Sequence, residues 1–216
     1  MNSKTAALFI GIAWFVLLIL YFLIRAVTKD GLVKNSPQVP LTGKTLHKEK
    51  PGSVLAKTGV LFIFFVNIIT FGIVFASAIS PAMERYLSVL RIALPGWLNI
   101  LGSVLFVLDY VWGFFALIFN PNYTPLYKSS PHLVLATRGP YSLIRHPRYA
   151  SEALLNIILF LFTGIWLPLL GLIAWVAIYY QAQAEEKFLL EKAPVEYGRY
   201  RKNTGMFFPK ITKGRE

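Results

Sequence analysis

Residues 151–180 read SEALLNIILFLFTGIWLPLLGLIAWVAIYY, a run whose one charged side chain is Glu152, and its interpretation decides the fold. As a single helix it would rise roughly 45 Å, well beyond the ~30 Å hydrocarbon core of a bilayer. It has to be broken. The stretch Phe162-Thr163-Gly164-Ile165-Trp166-Leu167-Pro168 supplies the break, because glycine ends helices and proline is tolerated in the first turn of the next one. The run therefore reads as a tight helical hairpin.

Working outward, Thr5 to Ile24, Thr58 to Ile79 and Ile92 to Phe119 each supply about 20 or more largely uncharged residues, enough for a helix to cross a membrane. A chain of 216 residues that is 56% hydrophobic and 15% aromatic lies outside the usual soluble class. The expected fold is all-α: a multi-pass membrane helix bundle of about five transmembrane helices, the last two forming the hairpin. Residues 1–119 hold three N-terminal transmembrane helices, and residues 120–216 hold a cofactor-binding region with the hairpin and a cytoplasmic C-terminal tail.

Charge placement favours the hairpin. With five crossings, the connection Arg25 to Lys57, the segment Lys128 to Arg148 and the tail after Lys187 all lie on one side. Of the 22 Lys and Arg, only Lys4, Arg85 and Arg91 then lie opposite. Basic residues concentrate in short cytoplasmic loops, so the N-terminus is expected outside and the C-terminus in the cytoplasm. An unbroken fourth helix would put the tail on the opposite side from the other two clusters. The net charge of +12 is accordingly a topology signal with added attraction to anionic lipid, and nucleic acid is not expected as a partner. The absence of cysteine excludes disulfides, thiolate metal sites and a cysteine nucleophile. The first apolar segment reads as an anchor rather than a cleaved signal, since Arg25 and Lys29 follow it with no small-residue cleavage site between.

Between the helices, Lys29 to Lys57 reads as an irregular loop, and a short interfacial helix is expected around Met83 to Ala93. Asn120 to Pro125 stops the third helix, and Leu133 to Ala136 reads as an extended interfacial stretch. Thr137 to Tyr149 then packs two Pro, a Gly, three Arg, a His and two Tyr into one connection. Across the hairpin, Gln181, Glu185 and Glu186 carry the last helix into the cytoplasm. Pro194 ends it, and a further short helix carries Tyr197 and Tyr200 on one face.

A hairpin returns to the side on which it began, so Arg145, His146 and Tyr149 at its entrance face Glu185 and Glu186 at its exit. This mouth is expected to lie outside the packed interior. Such a pocket suits a zwitterionic ligand with an aromatic or onium part. S-adenosylmethionine fits that description, and so do a nucleotide or a phospholipid headgroup. Residue by residue, a basic juxtamembrane belt with Tyr anchors and a solvated acidic pair accounts for the same side chains. Three scattered His residues give no metal cluster.

The ordered set Gly139-Pro140-Tyr141, Arg145-His146-Pro147-Arg148-Tyr149-Ala150, an apolar hairpin, Glu185-Glu186, Tyr197, Tyr200 and Thr204-Gly205-Met206-Phe207-Phe208-Pro209 resembles the isoprenylcysteine carboxyl methyltransferase family. Phospholipid N-methyltransferases belong to the same broader group. The resemblance spans Leu133 to Pro209, and it implies a membrane S-adenosylmethionine-dependent methyltransferase acting on a lipophilic acceptor such as a prenylcysteine-type carboxylate. It further implies that Leu133, Val134, Leu135 and Ala136 line the cofactor largely through backbone contacts. Tyr141, His146, Pro147, Arg148 and Tyr149 would form the floor of its site, Glu185 would bind one of its polar groups, and Arg145 and Glu186 would support them. Gln181 stands where prenylcysteine methyltransferases tend to carry an Arg for the acceptor carboxylate, so it is the expected substrate-binding position. Ser151 replaces a frequent Gly, and Ala193-Pro194 replaces a usual Phe-Gly pair.

Methyl transfer needs alignment rather than a covalent intermediate, and a carboxylate acceptor needs no base. Glu152 is the candidate base for an amine or hydroxyl acceptor, with an ion pair to Arg148 as its structural alternative. Asp109, within the third helix, reads as a paired packing residue or an acceptor contact, and Asn67 and Asn156 as interhelical hydrogen bonders. Two other functions compete: an NADPH-dependent membrane sterol-type reductase, which shares an Arg-His-Pro motif, and a non-catalytic membrane binding or transport protein.

Overall fold

A computed structural model describes residues 2–28, 38–40, 54–120 and 132–210. Among these the regular secondary structure is helical apart from two three-residue strands. Helix α1 spans Ser3–Thr28 and α2 spans Val54–Ile79. The short α3 covers Pro81–Leu87, and α4 covers Gly96–Phe119. The one-turn α5, Pro140–Leu143, leads into α6, Pro147–Thr163. A 3-10 stretch, Leu167–Ala174, runs directly into α7, Trp175–Lys192, and α8 follows over Pro194–Asn203.

Among the described residues, four runs are long and apolar enough to cross a membrane: Ser3–Ile24, Thr58–Ile79, Gly96–Phe119 and Leu167–Lys192. These make the chain a membrane protein by length and composition, with large apolar side chains exposed along α1, α2 and α4.

Proline sets many of the boundaries. It occupies the first turn of α3, α5, α6 and α8, where its missing N–H costs nothing. The third apolar helix begins at Gly96 rather than Ile92, because Pro95 is its N-cap. The short connecting helix starts at Pro81, where Ser80 caps the Met83 amide, and a 3-10 turn ends it at Leu90. Both starts differ from the sequence reading by a few residues for this local reason.

At the far end of α6, Gly164 adopts a left-handed conformation with φ of 72° and closes the helix onto the Phe160 carbonyl. The chain then turns, and two backbone bonds tie the turn to the connection before α4: Ile92 N–H to Gly164 O at 2.8 Å and Trp166 N–H to Leu90 O at 3.0 Å.

The most extensive pairing is between α4 and α6. Gly102 lets the backbones close up, since a Cβ there would lie 2.3 Å from the Phe162 nitrogen. Asn99 donates to the carbonyls of Leu161 and Phe162, and Phe106 packs on Phe162 with ring centroids 5.3 Å apart. One apolar cluster joins α1, α2, α4 and α6, and a second joins α2 and α6 to α7 and to Met206 and Phe207 after α8.

Strand β1, Gln38–Pro40, pairs antiparallel with β2, His132–Val134. The connection after α1 is therefore not wholly irregular. Asn156 also departs from expectation, because its amide donates to Glu152 O and Ala153 O within its own helix rather than across helices. Its Oδ1 lies against Gly171, where a Cβ would come within 2.2 Å. The Oδ1 atoms of Asn67 and Asn156 have no hydrogen-bond partner among the described residues.

Candidate functional site

The entrance of α6 and the exit of α7 meet at the end of the bundle away from Gly164. Arg145 precedes the Pro147 helix start, and its backbone is held by the segment after α8. Its N–H bonds Gly205 O at 2.8 Å and the His146 N–H bonds Met206 O at 3.1 Å, while Ile144 and Gly205 form a parallel bridge. This strap closes the site from the C-terminal side.

Glu186 is the hub. Its side chain accepts from Arg145 Nε at 2.8 Å, contacts His146 Nε2 at 3.2 Å and pairs with Arg201 Nε at 3.1 Å. At 4% exposure it is a buried carboxylate compensated by cationic partners, the arrangement that makes such burial tolerable. Arg145 also donates to the Thr204 and Arg201 carbonyls, fixing the end of α8.

Glu185 faces differently. It accepts from the Tyr149 hydroxyl and from Gln181 Nε2 at 3.0 Å, and its Oε2 lies 3.9 Å from His146 Nδ1. Its side chain is 18% exposed, more than that of Glu186. His146 is only 7% exposed, stacked on Tyr149 at 5.7 Å and beside Phe207 at 5.9 Å. The expectation that His146 lies outside the packed interior is thus corrected: strap, α6 and α7 enclose it.

The remaining expected residues spread around this hub. Tyr141 is buried, and its hydroxyl accepts from Asn120 Nδ2 at 3.1 Å while its carbonyl accepts from the Tyr200 hydroxyl at 2.6 Å. Burial pushes its phenol up to about 12. Tyr197 and Tyr200 are also shifted upward, first by burial and then by neighbouring charge or phenol groups. All three are neutral near pH 7 and serve as donors or acceptors rather than bases.

Pro147 is fully buried, and its carbonyl accepts from the Trp112 indole at 3.1 Å. Arg148 bonds Glu152 at 3.0 Å, one turn along α6. Leu133 and Val134 engage β1, opposite Val39 and Gln38. Leu135 is buried against Ala193 and Tyr197, and Ala136 is half-buried. Arg145, His146, Tyr149, Gln181, Glu185 and Glu186 thus converge directly. Tyr141 joins them through α8, whereas Pro147, Arg148 and Glu152 are committed to neighbours on or against α6.

Arg201 and Trp112 were not singled out from sequence, and the partner of Asp109 was not named there. Arg201 lies one helical turn beyond Tyr197, a spacing that places it on the face of α8 already turned to the site. Ser151 donates to Asp109 Oδ2 at 3.0 Å, which makes Asp109 a paired group in the α4–α6 interface. Trp112, which carries no sequence signal of its own, donates its indole N–H to the Pro147 carbonyl. No protein-family model and no curated protein matches the chain.

Proposed function

We propose that the chain is a multi-pass membrane methyltransferase that binds S-adenosylmethionine at the cytoplasmic end of α6 and α7 and passes its methyl group to a lipophilic acceptor. In this reading α6 and the Leu167–Lys192 run are two crossings joined at Gly164, which brings the total to five. The observation that carries it is the convergence of Arg145, His146 and Tyr149 with Glu185 and Glu186, some forty positions later, at the mouth of an apolar hairpin.

The chemistry of this set fits the cofactor. Glu185, the more exposed carboxylate, suits an ammonium or ribose hydroxyls, and the neighbouring Tyr149, His146 and Phe207 rings suit an adenine or an onium centre. When bound, the cofactor would supply an electrophilic methyl group on a sulfonium, whose sulfur would leave as a neutral thioether when the acceptor's lone pair takes the methyl.

The protein's own residues do the positioning. Tyr149 and Gln181 fix the Glu185 carboxylate, and Glu186 holds Arg145 and Arg201 so that the 204–207 strap stays against residues 144–146. The apolar helices exclude water, which favours a displacement that neutralises charge. A carboxylate acceptor is already ionised and asks nothing more. Glu152 is held by Arg148, an arrangement that supports a structural role over that of a base.

The test is transfer of labelled methyl from S-adenosylmethionine into a lipid extract and small prenyl-thiol acids by the purified protein, with calorimetric titration of S-adenosylmethionine and NADPH in parallel. Methyl incorporation together with S-adenosylmethionine binding is expected. Binding of NADPH instead would favour a reductase, and binding of neither a non-catalytic role.

A further inference from the structure

An apolar groove of about 560 Å³ lies between α1 and α2 at the end of the bundle opposite the Glu185–Glu186 cluster. That end is marked by Ser3, whose hydroxyl bonds Glu84 at 3.0 Å, and by the Gly164 turn. The walls are Leu8, Ile12 and Phe15 from α1 and Phe75 and Ile79 from α2, over a floor that includes Gly11. Lys4 stands at its outer end.

Three properties define what would occupy it. The volume lies within the range of small-molecule sites, roughly 300–1,000 Å³. From Lys4 to Phe15 the helix rises about 16 Å, close to the ~15 Å depth of one leaflet's hydrocarbon, so the groove runs from headgroup level to the midplane. Lys4 is exposed and has no ion-pair partner among the described residues, because Glu84 is turned to Ser3 and acts on Arg91. A cation at the head of a leaflet-deep apolar trough matches an anionic headgroup above an acyl chain.

We infer that this groove holds one molecule of an anionic glycerophospholipid, its phosphate at Lys4 and an acyl chain along Leu8, Gly11, Ile12 and Phe15. This site is independent of the proposed chemistry and lies at the other membrane face.

The fold permits a clean test, because a Cβ at Gly11 meets nothing within 4 Å and neither does one at Gly72, which is not part of the groove. Gly11→Phe therefore fills the trough, and Gly72→Phe adds the same bulk to a helix elsewhere. The full-length protein is equilibrated with an equal mixture of phosphatidylglycerol and phosphatidylcholine, exchanged into detergent and analysed by native mass spectrometry.

Wild type and Gly72→Phe are expected to retain one phospholipid, with phosphatidylglycerol favoured about fivefold, the preference a single surface cation supplies. Gly11→Phe should lose it at unchanged melting temperature. Lys4→Gln should abolish the headgroup preference, and Lys4→Arg should restore it. No retained lipid on wild type, retention by Gly11→Phe equal to that of wild type, or a preference that survives in Lys4→Gln would each overturn the assignment. Should Gly11→Phe fail to fold, the Lys4 pair still decides it.

Discussion

Glu185 and Glu186 are adjacent in sequence and opposite in circumstance. Removing the Glu186 carboxylate strands Arg145, whose side chain is about as buried as Glu186 itself. Glu186→Ala is expected to cost about 3 kcal/mol of stability, the lower end for breaking a buried ion pair, and to release the 204–207 strap. Glu185→Gln keeps an acceptor for Tyr149 and Gln181 and should stay within about 1 kcal/mol of wild type, while S-adenosylmethionine affinity falls roughly tenfold or more. Thermal melts and calorimetry on the two variants separate the roles, and a reversed pattern would exchange them. His146→Ala is the poorer probe, since it removes packing against Tyr149 and Phe207 along with any ligand contact. The meeting of Arg145, His146 and Tyr149 with the acidic pair was legible because a hairpin fixes which residues return to one side. Which carboxylate becomes the hub was not, because that depends on where Arg201 lands when α8 folds back, a tertiary fact without local signature.

The elements themselves follow from proline and glycine read at their positions. At Gly164 the left-handed backbone disfavours any L side chain, and a Cβ would approach the Ile92 carbonyl to 2.6 Å. Gly164→Ala is expected to cost at least about 1 kcal/mol, a fall of roughly 2–4 °C in melting temperature. An unchanged melt would mean that the turn is not held as described. The short α5–α8 region carries a different signature, because Tyr141, Tyr197 and Tyr200 are all harder to ionise folded than unfolded. Their contribution to stability is complete below pH about 10 and is lost as pH rises through the folded value, about 12 for Tyr141. Between those limits wild type should lose more stability than Tyr141→Phe, measured by melts across the range. Equal losses would show that Tyr141 ionises freely. The β1–β2 pairing was the element least legible in the sequence, since two three-residue strands about ninety positions apart have no periodicity to read.

At the scale of the whole molecule, the contacts set two polar ends. One gathers Ser3, Glu84, Arg91 and the Gly164 turn, the other Arg145, Arg201, Glu185, Glu186 and the strap. In the proposed five-crossing reading the termini lie on opposite faces, and the sequence pattern assigns most basic residues to the side of the second end. In the five-crossing proposal α6 is the additional span, beyond the four runs that are long and apolar enough by themselves. What supports it is that Leu159 and Phe162 are buried in the cluster shared with α1, α2 and α4, and that the contacts of α6 with Asn99 and Gly102 run alongside α4. The expectation is therefore that a cysteine placed after Glu216 reacts only with reagent on the cytoplasmic side, and one placed before Lys4 only from outside. The absence of native cysteine makes the labelling unambiguous. Labelling of both ends from the same side would remove the fifth crossing, and with it the reason for placing the Glu185–Glu186 site in the cytoplasm.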